Sequence, residues 1–174
     1  MTDEMLETAL SYAGKGWAVI PLKRGGKIPL TPHGVYDATT DEATIKAWWL
    51  KYPKANIGVR VGPESNLFVL DIDNKNDKHG SVEFARLTED YGFFQTYAVN
   101  TPNDGIHCYF SYPAEFNGHT IKPILAPGID VKTSGYVVAP PSAIDGKRYA
   151  IKGDNNVVDA PQQMTITMKC DIMP

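Results

Sequence analysis

The chain has 174 residues, 43% of them hydrophobic and 21% charged, which suits one ordinary folded domain and excludes wholesale disorder or two full-sized domains. A net charge of −3 excludes a surface coated in positive charge, and two cysteines exclude a disulfide scaffold or a four-cysteine zinc site. No apolar run approaches the roughly 18 residues of a membrane span, and the acidic start is unlike a signal peptide, so a soluble, cytoplasmic protein with no membrane partner is expected.

In chain order, Met5, Leu6, Ala9, Leu10 and Ala13 recur at spacings of three and four, which predicts a helix over residues 2–13 with Thr2 as its cap. A short strand follows at 17–22, then a basic, glycine-rich and flexible loop, Lys23-Arg-Gly-Gly-Lys-Ile-Pro29. A second helix begins near Thr39 or Thr40, where Thr39 and Glu42 have capping-box spacing, and Pro53 ends it. Its Ile45, Trp48, Trp49 and Tyr52 read as packing residues. Strands are expected at 56–61 and 67–73, and a third helix is expected to start from Ser81 and end before Gly92. The second half reads as short strands at 97–100, 106–110, 129–131, 136–139 and 148–151. Turn sequences such as Pro127-Gly128 and Asp145-Gly146 separate them. Helices early and strands late predict an α+β fold with a mainly antiparallel sheet. Residues 1–155 are taken as the domain. Residues 156–174, polar and weakly patterned, are taken as an extension at the edge of a longer protein.

Charge is unevenly spread. Residues 15–60 carry Lys15, Lys23, Arg24, Lys27, Lys46, Lys51, Lys54 and Arg60 against Asp37, Asp41 and Glu42, a balance of +5 that leaves −8 for the remainder. Such a segment suits a polyanion groove, or merely a solvated face.

The sharpest chemical feature is Leu70-Asp-Ile-Asp73. Residues two apart in a strand share a face, so Asp71 and Asp73 project together while Leu70 and Ile72 face the core. Adjacent carboxylates repel unless a cation lies between them, and Mg²⁺ or Mn²⁺ favours such hard oxygen ligands. The bland alternative is a strand running into a polar turn. Asp130, between Ile129 and Val131, is a third acid that would complete a three-carboxylate set, or would pair with a lysine. His107 follows a glycine-containing loop at the start of a strand, an arrangement suited to an anion or to a structural histidine. Cys108 should face the opposite side, into the core.

Taken together these segments resemble the bifunctional primase/polymerase N-terminal domain of the archaeo-eukaryotic primase superfamily. The resemblance runs from about Ala9 to Tyr149. It rests on Tyr12, Gly16-Trp17, Ile20-Pro21, Lys27-Ile-Pro29, Gly34 to Asp41, Trp48-Trp49, Asn56-Ile-Gly58 and Leu70 to Asp73. Thr101-Pro102 through Gly105 to His107, Pro127 to Val131 and Gly135 to Ser142 complete it.

The resemblance implies an RNA-recognition-like core sheet with a smaller α/β unit, and template-directed nucleotidyl transfer with two divalent metals, Mg²⁺ or Mn²⁺. By motif, Asp71, Asp73 and Asp130 match the catalytic metal ligands, and His107 and Lys132 match nucleotide-binding positions. Lys23, Arg24 and Lys27 are the candidate DNA contacts. The implied partners are a single-stranded DNA template, deoxyribonucleoside or ribonucleoside triphosphates, and a helicase domain or protein in phage, plasmid or mobile-element replication. The pattern departs at Asp104 and Ile106, where the family commonly has a small residue and a polar one. An extra carboxylate beside a triphosphate is unfavourable unless it points outward, and Ile106 cannot hold a phosphate. A non-catalytic module binding single-stranded DNA or an origin is the alternative, and a metal-dependent nuclease a third reading.

Overall fold

The computed structural model describes residues 3–92 and 94–170. The fold is α+β with mainly antiparallel sheets, as the alternation of short apolar runs and turns predicts. It comprises two compact units, one of residues Met1–Asn66 and Ser134–Ile151, the other of Leu67–Thr133 and Lys152–Pro174. Among the described residues no helix is long and apolar enough to cross a membrane.

In the first unit, helix α1 (Glu4–Gly14) packs beside α2 (Glu42–Lys51), and strands β1 (Val19–Leu22), β2 (Asn56–Arg60) and β8 (Tyr136–Ala139) form a sheet of order β1-β2-β8. Asp3, not Thr2, caps α1 by accepting from the Met5 N–H, while Thr2 lies outside the described residues. Likewise Asp41, not Thr39, caps α2. The Thr39 hydroxyl is taken by the Asp41 N–H, which leaves the Asp41 carboxylate to accept from Thr44 N–H at 2.9 Å. Ile45 and Trp49 of α2 are buried, and the Trp49 indole donates to Ala55 O, so this tryptophan is a packing residue. Gly58 is fixed by crowding: a Cβ there would lie 2.9 Å from Ile20 Cγ1 and 3.2 Å from Tyr136 Cδ2.

The second unit holds a six-stranded sheet of order β11-β4-β5-β3-β7-β6, in which β3 (Leu67–Ile72) sits between β5 (Ile106–Ser111) and β7 (Ile129–Lys132). The other strands are β4 (Ala98–Asn100), β6 (Ile124–Ala126) and β11 (Ala150–Lys152), the last containing the boundary at which the chain leaves the first unit. A two-stranded hairpin, β9 (Ala143–Ile144) with β10 (Lys147–Arg148), turns at Asp145-Gly146 as expected. One face of the large sheet carries Phe68, Leu70, Ile72, Cys108, Phe110, Ile129 and Val131 into the core, where α3 (Gly80–Tyr91) adds Phe84 and Leu87. The stretch after 155, which has no element in the sequence reading, contains α4 (Gln162–Met168). Met164 and Met168, four apart on one helical face, are fully buried in this core. Residues 171–174 of the extension lie outside the described residues.

Cys108 lies on the core face, as strand parity predicts, and burial pushes its thiol up to about 12 against a favourable but smaller effect of Lys152. Because the folded-state value lies above the ordinary 9.0, its contribution to stability is complete below about pH 9 and is lost as pH rises toward 12. A thiol reagent at neutral pH is therefore expected to modify the half-buried Cys170 and spare Cys108 until the protein unfolds. Peptide mass mapping reads this directly, and equal labelling of both cysteines in the native protein would contradict it.

Candidate active site

The acidic motif sits at the C-terminal end of β3, on the face opposite the core. Register places Asp71 directly between His107 of β5 and Asp130 of β7. Directly opposite residues on adjacent strands have Cβ atoms about 4.5–5.5 Å apart, so these three side chains form one row across the sheet. Next to it lies a row of Val69 between Tyr109 and Lys132, with Val69 and Tyr109 buried. The sheet face therefore changes from apolar to ionic within one step of two residues along β3.

Each carboxylate of the row lies near a nitrogen-bearing side chain. His107 Nε2 lies 3.5 Å from Asp71 Oδ1, and Lys132 Nζ lies 3.6 Å from Asp130 Oδ2. The side chains of Asp71 and Asp130 are 33% and 39% exposed, so both carboxylates reach solvent. His107 is only 7% exposed, a side chain set into the sheet beside Asp71.

Asp73 lies one residue beyond the end of β3, and its carboxylate accepts from Lys75 N–H at 2.9 Å and sits 3.3 Å from Lys78 Nζ. Its backbone is held more tightly than its side chain. Asp73 N–H donates to Gly128 O at 2.8 Å, and Gly80 N–H donates to Asp73 O at 3.1 Å. Three main-chain segments meet here with no room for a Cβ at Gly80, where it would stand 2.5 Å from Gly128 O.

Asn74 joins the same point to two other loops. Its Nδ2 donates to Ser81 Oγ and to Asp104 O, both at 2.8 Å, and its Oδ1 accepts from Ser81 N–H at 2.9 Å. Ser81 is thus not the cap of α3; it lies inside the helix, and Asn74 satisfies its N–H from outside. The loop before His107 closes through Thr101, whose N–H donates to Gly105 O and whose Oγ1 accepts from Gly105 N–H. Asp104 is exposed and adopts φ +60°, and Ile106 packs against the core beside Ile72 and Cys108. The departure at Ile106 therefore lies on the far side of the sheet from His107.

The donor chemistry of Asp71 and Asp130 fits a divalent cation: hard oxygens, directly opposite, and reached by solvent. As they stand, no group of three or more His, Cys, Asp or Glu side chains among the described residues is drawn together into a metal cage. Asp73 in particular is engaged by Lys75 and Lys78. Partly exposed ion pairs are worth only about 0–1 kcal/mol, so exchange of Lys78 or Lys132 for a cation costs little.

The basic candidates lie in the other unit. Lys23 to Ile28 form a hydrogen-bonded turn rather than the flexible loop expected, closed by Lys23 N–H to Ile28 O at 2.7 Å and Gly26 N–H to Lys23 O at 2.9 Å. Gly25 takes φ +65° within it, a conformation that suits glycine. Lys27 O accepts from the Tyr136 hydroxyl.

Residues 9–163 match the family described as bifunctional DNA primase/polymerase, N-terminal. No curated protein matches the chain.

Proposed function

The chain belongs to the bifunctional DNA primase/polymerase N-terminal family, and from that premise we propose that it is a template-directed nucleotidyltransferase. It joins nucleoside triphosphates on a single-stranded DNA template and works with a helicase domain or protein in the replication of a mobile element. The observation that carries this reading is the row His107–Asp71–Asp130 across three adjacent strands, with Asp73 following just past the end of β3.

Asp71, Asp130 and Asp73 are the residues that would hold Mg²⁺ or Mn²⁺. When bound there, the metal supplies charge neutralisation for the triphosphate and lowers the pKa of the attacking hydroxyl. Lys132, partly exposed beside Asp130, offers an ammonium to a phosphate. His107 holds Asp71 in place through the 3.5 Å contact and meets the nucleotide phosphates from the sheet side. Lys23, Arg24 and Lys27 supply template contacts to phosphate, which carry affinity without sequence preference.

Primer extension on a single-stranded template tests this reading. Extension by the full chain in Mg²⁺ or Mn²⁺, abolished by chelation, is the expected result. Binding of single-stranded DNA with no metal-dependent nucleotide binding and no extension would instead favour the non-catalytic module, and template degradation a nuclease.

A further inference from the structure

The first unit contains a second feature that the acidic row does not use. A hollow of about 380 Å³ opens between the Lys23–Ile28 turn and the segment joining α2 to β2. It is lined by Lys23, Arg24 and Lys54, with Leu30, Tyr52, Pro53 and Ala55 as its apolar walls. Lys54 lies thirty residues from Arg24 in sequence, and the fold brings it to the same rim. Lys51 is a fourth cation nearby, its Nζ 5.1 Å from the centre of the Tyr52 ring.

Among the described residues, none of Lys23, Arg24 and Lys54 has a carboxylate partner, in contrast to Lys46 on the same helix as Lys51, which pairs with Glu42. Clustered unpaired cations repel one another, and a polyanion relieves that repulsion. A second hollow shares Arg24, Pro53 and Lys54 but is also lined by Asp3 and Glu4, and Glu4 pairs with its Arg148, so the cluster of unpaired cations is confined to the first hollow.

We propose that this hollow is a subsite for single-stranded nucleic acid, holding one nucleotide unit with its base on the Leu30, Tyr52 and Pro53 walls and its flanking phosphates on Lys23, Arg24 and Lys54. A solvent-exposed cavity at the small end of the ligand-cleft range, about 300–1,000 Å³, is too small for a duplex and suits an unstacked base. The inference rests on the template-directed reading above and adds Lys54 and Tyr52 to the template contacts.

The test is fluorescence anisotropy of a labelled short oligothymidylate with the full chain across a salt series, without metal or nucleotide. Lys54→Ala is expected to weaken binding and to reduce the slope of log K against log salt by about 0.7, the change for one single-strand phosphate contact. Lys46→Ala, which removes the same charge from a paired site, is expected to change neither. Lys54→Glu should weaken binding further. A Lys54→Ala slope equal to that of the unaltered protein overturns the proposal, as does, in a separate titration, weaker nucleoside triphosphate binding with oligonucleotide binding intact. Because no metal or nucleotide is present, failure here leaves the acidic row untouched. Conversely, loss of metal-dependent nucleotide binding alone would sink the polymerase reading and leave this subsite standing.

Discussion

Asp71→Asn is expected to reduce primer extension by more than about a hundredfold while leaving the melting temperature nearly unchanged. Asp71 is the only member of the row with a strand on each side that presents a functional partner, His107 on β5 and Asp130 on β7. The substitution keeps the size of the side chain and its strand pairing but replaces one anionic oxygen with an amide nitrogen, a donor that repels a cation. A metal held by carboxylates then loses its central ligand, and losses of ten- to a hundredfold follow even when only an outer partner of a metal site is removed. Stability should change little because the carboxylate reaches solvent and its contact with His107 is long, at 3.5 Å. Extension assays with thermal melts alongside read both halves. Extension at the rate of the unaltered protein would show that Asp71 is not part of the reaction centre.

Gly80→Ala is expected to lower stability by about 1–3 kcal/mol, the cost of forcing an extra carbon into a packed site. For a chain of this length 2 kcal/mol corresponds to a fall of about 4–8 °C in Tm. The new Cβ would stand 2.5 Å from Gly128 O, 2.7 Å from Asp73 O and 3.0 Å from Asp73 N. All three are main-chain atoms, so no flexible side-chain end can move aside. Relief requires separating Asp73 from Gly128 or from Gly80, which breaks the hydrogen bonds that fix the end of β3. Extension should therefore fall as well, through the position of Asp73. Gly14→Ala is the control: its Cβ would meet nothing within 4 Å, and it should stay within about 0.5 kcal/mol of the unaltered protein. Equal melting of the two variants would mean that the backbone at Gly80 relaxes freely and does not position Asp73.

What was legible in the amino-acid order was the local geometry. Two-residue parity places Asp71 opposite to Leu70 and Ile72, and His107 opposite to Cys108, and both relations hold. The neighbours of Asp71 were not legible from spacing, because His107 and Asp130 lie 36 and 59 residues away and only strand pairing brings them beside it. The resemblance supplied that grouping. Helix starts were misplaced where two capping residues competed: Thr39 and Asp41 are both good caps, and Thr39 is drawn instead into a bridge with Val19. Helix α4 carried a readable signal, Met164 and Met168 at a spacing of four, that a polar surrounding hid. Asn74 carried none, since its partners at Ser81 and Asp104 depend on three loops meeting in space. Gly128 was read as an ordinary turn residue and Gly80 carried no signal, and only the close approach of their backbones gives them a role at the site.

The claim at the centre of this account is that a divalent cation and a nucleotide meet at the row His107–Asp71–Asp130. Proton NMR of the imidazole resonances during titration with Mn²⁺ and a nucleoside triphosphate tests it most directly, because a paramagnetic ion broadens only nearby protons. The account predicts that the His107 signals broaden at low Mn²⁺ in the unaltered protein and stay sharp in Asp71→Asn. Sharp His107 signals in the unaltered protein at saturating Mn²⁺ and nucleotide would contradict it.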